Sequence, residues 1–307
     1  MKPANGGPAL SILIYHRVLA RPDALFPDIP DAARFARQLG LLKRFFRVMP
    51  LLEAARRLQD GSLPPRAACI TFDDGYADNA QVALPLLRRH GLSACFFVAS
   101  GYLDGGRMWN DAIVDRLRHA PGAELDLSEW GLGRLALGTL ALRRQAIGTV
   151  LGALKYLPFE QRQTLSAQLS RGAPAVAPPM MSSAELVALH RAGMEIGAHT
   201  VGHPILSTLS ERAAHDEIAH GKRALEAIID APVSLFAYPN GVPRQDFGPS
   251  HVAMVRALGF AAAVTTAWGA GRPGDDLFQL PRFTPWDRGR LRFLLRMRQN
   301  LALERDR

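Results

Sequence analysis

Ile70-Thr71-Phe72-Asp73-Asp74-Gly75-Tyr76 is a run of apolar, strand-forming residues that ends abruptly in two neighbouring carboxylates and a glycine. Because Asp-Gly is a common turn dipeptide, this stretch alone is also typical of a plain strand-end turn. A second stretch changes that balance, since the apolar run Met194-Glu195-Ile196-Gly197-Ala198 leads into His199-Thr200-Val201-Gly202-His203. Two predicted strand ends therefore carry carboxylate and imidazole groups, which are ligands of zinc-type sites.

Segments with the patterns of strands and amphipathic helices surround these two strand ends. From the apolar run at 10–15 to the one at 93–98, the predicted order is β-α-β-α-β-α-β, which is typical of parallel strands with crossover helices. The alternation resumes at 183 and ends in a basic helix at 287–303. With 307 residues and 48% hydrophobic content, we expect one domain over residues 1–307, either an α/β barrel or a doubly wound sheet.

The alternation is interrupted between Gly101 and Pro179. Helix-like segments begin at Trp109 and after Pro158, and a proline-rich linker at 173–179 closes the interruption. We expect residues 104–179 to be a helical insertion within the single domain. It would be a structural cap on one side of the barrel or a lid over the substrate, and the cap is the simpler interpretation because many insertions only pack.

The chain carries 37 Lys and Arg residues against 28 Asp and Glu residues, a formal charge of +9. This excess favours anionic surroundings such as lipid headgroups or acidic glycans. No nucleic-acid motif accompanies it, so a nucleic acid is not an expected partner. Basic residues concentrate from 287 onward, among four leucines: Leu291, Leu294, Leu295 and Leu301. These leucines either pack the last helix on the barrel while the arginines face water, or contact an anionic membrane surface.

Cys69 and Cys95 both lie in apolar runs, where a free thiol behaves as a small buried hydrophobe, so we expect neither a disulfide nor a metal role. Residues 1–8 lack the apolar core and cleavage site of a signal peptide. No stretch approaches the ~20 apolar residues of a membrane span. A cytoplasmic location is therefore expected, with peripheral contact at the inner membrane face as an extension of it.

The residue types at the two strand ends suit hydrolysis assisted by a metal. Such a metal needs roughly three protein ligands and an open position for water. His199 and His203 with one carboxylate of Asp73-Asp74 provide that set and leave one aspartate over. Neighbouring side chains at a strand end point in different directions, so one aspartate can bind the cation while the other faces the metal-bound water. The cation would lower the pKa of that water and keep the base ionised.

These motifs, together with Phe236-Ala237-Tyr238-Pro239-Asn240-Gly241, resemble the polysaccharide deacetylase family with the NodB homology domain, carbohydrate esterase family 4. Leu13-Ile14-Tyr15-His16-Arg17-Val18 and Met108-Trp109-Asn110-Asp111 are similar to the bacterial branch linked to exopolysaccharide gene clusters. The resemblance spans most of the chain except the insertion. It implies a distorted (β/α)7 TIM-like barrel with its site at the C-terminal ends of the strands.

The resemblance also implies an activity, the hydrolytic removal of an acetyl group from an N-acetylated sugar through a tetrahedral intermediate. It implies three ligands for a divalent metal, expected to be Zn²⁺: Asp74, His199 and His203. Asp73 would be the general base, and the backbone N–H of Tyr238 would help to hold the oxyanion. Tyr238 and Pro239 would line the groove, with Asn240 and Trp109 expected on the same substrate side.

The sequence departs from the family pattern at two positions. Many members carry a late Leu-x-His motif with a general-acid histidine, but here Leu280-Pro281-Arg282 occupies that region. The usual arginine ahead of the Tyr-Pro segment is also missing. We hypothesise that His16, at the end of the first strand, donates the proton to the leaving amine, although it is also a candidate packing residue. Arg282 would orient Asp73, and its alternative is an ordinary salt bridge at the barrel rim.

The expected substrate is an acetylated polysaccharide or a lipid-linked oligosaccharide precursor, and a cytoplasmic enzyme would favour the precursor. Because the late histidine is missing, a catalytically weak barrel that binds glycan within a polysaccharide synthesis complex is the alternative function. A third interpretation, a protein of nucleic-acid or membrane surfaces, depends only on the charge and the basic tail. Metal content with measurable acetate release separates the first two interpretations.

Overall fold

Seven parallel strands form a nearly closed barrel in the computed structural model of the chain, which describes residues 8–173 and 176–302. The described strands are β1 (Leu10–Tyr15), β2 (Arg47–Val48), β3 (Ala67–Phe72), β4 (Cys95–Val98), β5 (Glu124–Asp126), β6 (Arg134–Ala136), β7 (Glu195–Ala198), β8 (Leu235–Ala237), β9 (Ala262–Trp268) and β10 (Leu280–Arg282). Around the barrel the order is β1-β3-β4-β7-β8-β9-β10. Phe283 closes it, because its carbonyl accepts from Ile14 N–H (3.0 Å) and its N–H donates to the Ile12 carbonyl (2.9 Å).

This arrangement confirms the predicted distorted (β/α)7 barrel. Its distortion begins at β3, where the short β2 pairs with the first half of the strand and β4 pairs with the second half. Each half of β3 therefore has a different neighbour on that side. The strand is buried along its whole length, as are β1 and β4, which explains why the three read as continuous apolar runs.

Helices surround the barrel and fill the insertion. They are α1 (Ala32–Phe45), α2 (Leu51–Gln59), α3 (Leu84–His90), α4 (Trp109–His119), α5 (Leu140–Leu154), α6 (Phe159–Leu169), α7 (Ser183–Arg191), α8 (Glu211–Ile229), α9 (Pro249–Ala257) and α10 (Arg290–Ala302). The segment predicted as one helix over 79–90 is divided, since a π-helical turn at Asn79–Ala83 precedes α3. Gly91 ends α3 in the left-handed conformation at φ 65°, as its position after the helix predicts.

Alternate residues of β3 face two different parts of the core. Phe72 packs in the cluster between the strands and the outer helices, in contact with the rings of Tyr15 and Phe96. Cys69 instead belongs to the barrel interior, which α2 closes at the amino ends of the strands. Because side chains alternate along a strand, Asp73 continues the interior row and points into the carboxyl mouth of the barrel. Complete burial of a Phe side chain such as Phe72 stabilises the fold by roughly 1.5–3 kcal/mol.

The segment predicted as an insertion contains α4, α5 and α6 and forms most of an apolar cluster built around Ile113, Ile147 and Val150, which Leu25 from the loop after β1 joins. It also contains an antiparallel pair, β5 with β6, which the sequence did not predict. These strands have three residues each, and most of their side chains are exposed. A pattern this short carries no detectable periodicity.

Both cysteines are free and buried, as predicted. On α10 the packing expectation is wrong for two leucines, because Leu291 is 77% and Leu295 58% exposed while Phe293 and Met297 make the buried face. Among the described helices, none is long and apolar enough to cross a membrane. The interpretation of residues 1–7, part of the linker at 173–179 and the predicted helix end at 303 lie outside the described residues.

Candidate active site

Asp73 and Asp74 follow β3 at the mouth of the barrel, where they are 2% and 5% exposed. Asp74 adopts a left-handed conformation at φ 77°, and Gly75 follows at φ 93°. This turn directs the two neighbouring carboxylates to different places. A Cβ at position 75 would lie 2.9 Å from Val98 Cγ1, so both the conformation and the contact with β4 favour glycine.

Asp73 forms a two-bonded ion pair with Arg282 from the end of β10. Both guanidinium Nη atoms donate to the carboxylate, each at 2.7 Å, and Arg282 Nε donates to the Thr265 carbonyl at 2.9 Å. Burial raises the pKa of Asp73, but Arg282, helped by His199 and His16, outweighs burial and lowers this pKa to about 2. Asp73 is therefore ionised at neutral pH and held rigidly. Arg282 lies where it can orient Asp73, inside the mouth and 1% exposed, not at the rim.

His199 and His203 direct their Nε2 atoms toward Asp74. Their Nε2 atoms lie 3.1 Å apart, and they are 3.6 Å and 3.4 Å from Asp74 Oδ1. Donors about 2.0 Å from a tetrahedral zinc ion are roughly 3.3 Å apart, so this triangle has the size of a zinc ligand set. The buried Asp74 Oδ1 has no hydrogen-bond partner, as expected of an oxygen that faces a cation. The three residues therefore fit a divalent metal.

Hydrogen bonds from the surrounding chain fix the two histidines. His199 Nδ1 lies 2.7 Å from the Ala237 carbonyl oxygen. Because that oxygen can only accept a hydrogen bond, Nδ1 carries the proton, and the lone pair of Nε2 is left for a metal. His203 itself has a left-handed backbone conformation at φ 53°, and its N–H donates to Thr200 Oγ1 at 3.0 Å. Burial, then His199 and Arg162, hold the pKa of His203 well below its usual value. Its neutral form is the metal-binding form.

A cleft of about 310 Å³ opens over this group. His16, predicted as proton donor, is exposed at the end of β1 and lines the cleft together with Asp73 and Asp74. Trp109 and Asn240 also line it, as expected. Other lining residues come from the segment 104–179, namely Met108, Asn110, Leu151, Gly152 and Lys155. This segment therefore forms a wall of the cleft and is more than an outer cap.

Comparison with known proteins decides the family. Residues 60–126 and 158–263 match the family model described as polysaccharide deacetylase, which is more than half of the chain. The chain belongs to the polysaccharide deacetylase family. It is a deacetylase, and enzymes of this family depend on a metal. The part that the family model skips, 127–157, lies within the segment predicted as an insertion.

Individual relatives of this deacetylase are distant. The Bacillus subtilis protein YxkH, by name a polysaccharide deacetylase, is 21% identical over 282 residues, 92% of this chain and 71% of its own. The structure of IcaB from Ammonifex degensii matches with a TM-score of 0.63 and 20% identity over 96% of this chain and 98% of that one. The structure of Streptococcus pyogenes deacetylase PplD in complex with acetate matches with a TM-score of 0.59 and 19% identity. The match covers 90% of this chain and 92% of that one. At these identities the structures establish the shared fold.

Tyr238 differs from its expected place in this deacetylase. Its ring is 1% exposed and stacks on Phe247 at 3.8 Å between centroids, so it packs in the core and does not line the cleft. Its backbone N–H donates to the Val264 carbonyl on β9 at 3.3 Å, since the strand pairing of β8 continues through this residue. Pro239 does not line the cleft either. The residue of this motif that reaches the cleft is Asn240, at φ 58°.

Three residues that hold the histidine loop escaped the sequence analysis. Glu217 on α8 accepts from the N–H groups of Val201 (2.9 Å) and Gly202 (2.8 Å). Tyr102 donates its hydroxyl to the Gly202 carbonyl at 2.9 Å. Arg162 on α6 is 2% exposed and donates to the His203 carbonyl at 3.4 Å. These contacts depend on packing between distant segments, and no local motif marks them.

Proposed function

We propose that this deacetylase removes acetyl groups, chiefly N-acetyl, from an acetylated polysaccharide or a lipid-linked oligosaccharide precursor. The observation that supports this function most strongly is the triangle of Asp74 Oδ1 and the two histidine Nε2 atoms. These three atoms lie within 4.8 Å of one another at the cleft floor. An ionised aspartate, Asp73, stands next to this triangle and does not belong to it. The arrangement combines a metal-binding group and a separate base, the two parts that metal-assisted amide hydrolysis uses.

We assign the metal site to Asp74, His199 and His203, with Zn²⁺ as the ion. Zinc held there would polarise the acetyl carbonyl and lower the pKa of a bound water. The protein contributes two imidazoles, of which His199 is held in the metal-binding tautomer, and one carboxylate, with their ligand atoms directed at one point. This preorganisation limits the loss of conformational entropy on binding.

Asp73 is assigned the role of general base. As the water oxygen forms its bond to the acetyl carbon, a carboxylate oxygen of Asp73 accepts the water proton. Arg282 keeps the carboxylate ionised and aligned throughout, at the cost of weakening it as a base. Arg282 is therefore a positioning residue.

His16 is assigned the proton transfer to the leaving group. When the C–N bond breaks, the imidazolium proton of His16 goes to the sugar nitrogen, so the products are acetate and the amino sugar. The exposed ring lines the cleft on the β1 side, where it can exchange protons with solvent between turnovers.

The test is acetate release from N-acetylglucosamine oligomers by the purified protein, before and after treatment with a chelator. Activity should disappear with the metal and return when zinc is added, while unfolding measurements should show the metal-depleted protein still folded. Release that persists without bound metal contradicts the metal assignment. Oligomer binding without acetate release by the zinc-loaded protein contradicts the deacetylase function itself and supports the glycan-binding alternative.

The surface of α10 supports peripheral contact with an anionic membrane. Leu291 and Leu295 are strongly exposed, and exposed arginines accompany them on this helix and just before it: Arg288, Arg290, Arg292 and Arg298. Apolar side chains among cations suit an anionic lipid surface. Co-sedimentation with vesicles containing phosphatidylserine should fall in a Leu291→Ser, Leu295→Ser variant, whereas equal binding by both proteins contradicts the contact.

A further inference from the structure

A second cavity of about 770 Å³ lies beside the catalytic cleft and shares part of its wall. The two spaces share four lining residues: His16, Asp74, Asn110 and Leu151. The cavity extends from there between the loop that follows β1, the helix α4 and the residues 284–286 before α10. Its volume is within the range of small-molecule binding sites. The cavity therefore lies directly next to the place where a substrate would react.

Most of the charged side chains that line this cavity are held in ion pairs. Three ion pairs account for them: Arg17 with Asp78, Arg107 with Asp115, and Arg118 with Asp23. Asp28, at the exposed margin, pairs with Arg288. Such paired charges do not attract a strongly charged ligand, since each partner already satisfies the other. A phosphate-bearing or polyanionic group is thus a poor match for the cavity.

Among the described carboxylates that line the cavity, Asp74 belongs to the metal-binding group, and Asp111 on α4 is the other one outside these ion pairs. Its two carboxylate oxygens both lie 3.2 Å from the single hydroxyl of Tyr76, and no described Lys or Arg forms an ion pair with it. One O–H cannot satisfy two carboxylate oxygens, so Asp111 can accept further hydrogen bonds. Burial, only partly offset by Arg17, raises the pKa of Asp111 to about 7, which is the sign of a carboxyl group that lacks donors. A ligand with O–H or N–H groups would supply them.

Broad apolar faces form the other walls. The rings of Phe26 and Trp286 line the cavity, Trp286 remaining 45% exposed, and Val114 and Leu151 complete the apolar surface. A pyranose presents C–H faces that pack on such surfaces and hydroxyl or amino groups at its edge that need fixed acceptors. The cavity combines both kinds of contact within one space. A sugar fits this combination better than a purely apolar chain, which would bury the Asp111 carboxyl without a partner.

We propose that this cavity is a second sugar subsite, in which Asp111 accepts hydrogen bonds from the sugar unit next to the one that loses its acetyl group. This inference rests on the proposed deacetylation at the adjacent cleft, because the sugar in the cavity would belong to the same oligosaccharide as the sugar that reacts. It makes this wall of the site the determinant of chain-length preference. Trp286 would support the apolar face of that unit.

Two measurements test the subsite. The first is acetate release from N-acetylglucosamine and its trimer, for which kcat/KM of the native protein should favour the trimer. Asp111→Asn retains an acceptor for Tyr76 but removes the charge, so the trimer-to-monomer ratio of kcat/KM should fall about tenfold, the effect of losing one charge-assisted hydrogen bond. The second is calorimetric binding of the glucosamine trimer, which has no acetyl group and cannot react. Its Kd should rise about tenfold in the same variant.

Two tryptophans of equal exposure provide a matched control. Trp286 is 45% exposed in the cavity, and Trp268 is 44% exposed at the end of β9, outside both spaces. Trp286→Ala should weaken trimer binding several-fold, whereas Trp268→Ala should not change it. An unchanged trimer preference in both the Asp111 and Trp286 variants overturns the subsite while leaving the deacetylase function intact.

The same variants separate a sugar from an apolar chain. If octyl N-acetylglucosaminide binds more tightly than N-acetylglucosamine, and Trp286→Ala removes that gain while Asp111→Asn has no effect on the trimer, the cavity holds a lipid-like chain and the sugar subsite is wrong. Calorimetry decides this even if no acetate is released, so a failure of the proposed function remains distinguishable from a failure of the subsite.

Discussion

The two sides of the cleft are built in opposite ways. On the barrel side, Asp73 and His199 are at most 2% exposed and each is held by a short hydrogen bond, to Arg282 at 2.7 Å and to the Ala237 carbonyl at 2.7 Å. On the insertion side, Trp109 on α4 and Lys155 just after α5 are only partly buried, and these helices pack in a separate apolar cluster. The barrel side has the rigidity that bond-breaking chemistry requires, whereas the insertion side has room for differences between substrates.

Because the two sides differ in rigidity, we expect substitutions on the barrel side to have larger effects than substitutions on the insertion side. Changes on the barrel side should abolish turnover or unfold the protein, because each buried charge there depends on one partner. Changes on the insertion side should alter selectivity and metal affinity by smaller factors. A large loss of turnover from an insertion-side variant, or a small one from a barrel-side variant, would break the distinction.

Asp73→Asn is expected to have the largest effect. The amide cannot accept the water proton, so kcat should fall by about 10²–10⁴. The metal ligands are untouched, and zinc content measured by atomic absorption should stay at the native level. A variant with nearly native kcat would show that another group is the base. Lost zinc would show instead that the aspartate belongs to the metal site.

Arg282→Met tests the rigidity of the barrel side. The change leaves the Asp73 carboxylate buried without its cation, and breaking such a pair typically destabilises a protein by about 3–5 kcal/mol. Urea unfolding of the metal-free protein measures this. Arg288→Met is the control, because Arg288 and Asp28 form a pair with both side chains at least 60% exposed, which should contribute almost nothing. Equal losses in both variants would contradict the special role of the buried pair.

Asp111 on the insertion side should make stability depend on pH in the sense opposite to Asp73. The native pKa of Asp111, raised by burial to about 7, exceeds the unfolded value of about 3.9, so the native state binds more protons between them. The stability of the metal-free protein should therefore decrease as the pH rises through this window and level off above it. Asp111→Asn should remove this decrease.

Thermal unfolding of the native and Asp111→Asn proteins from pH 4.5 to 8 gives the comparison. The stability gained by the variant should grow with pH across that range. Asp216→Asn, a change on α8 at a side chain that is 48% exposed, should keep the native profile. A gain that is the same at every pH would show that Asp111 acts only through packing.

The sequence predicted the barrel side far better than the insertion side. Asp73, Asp74 and the two histidines follow long apolar runs, and parallel strands bring their carboxyl ends together, so position in sequence implies position in space. Arg282 could be proposed because β10 ends at the same mouth. The expectation for Tyr238 was wrong, since strand pairing with β9 determines where its N–H points. Glu217, Arg162 and the pair of β5 with β6 depend on tertiary packing that no local pattern encodes.

Arg162 contacts both the barrel side and the insertion side of the cleft. Its replacement by lysine should have the smallest effect of the substitutions considered, controls aside. Its buried guanidinium donates to the His203 carbonyl at 3.4 Å and to the Lys155 carbonyl at 3.3 Å, and it lies 5.1 Å from the centroid of the Trp109 ring. Lysine keeps the charge but loses the planar fork and the stacking. We expect zinc affinity, measured by competition with a chelating dye, to fall several-fold, as is common when a group that orients a ligand is altered.

Arg143→Lys is the matched control for Arg162→Lys. Arg143 belongs to the same insertion and also donates to main-chain carbonyls, including that of Leu117 at 2.7 Å, but it does not line the cleft. Both variants should lose some stability, and only Arg162→Lys should lose zinc affinity. If both bind zinc as the native protein does, the insertion is independent of the metal site. If both lose it equally, loosening of the whole insertion is the cause, and the contact with the His203 main chain has no separate role.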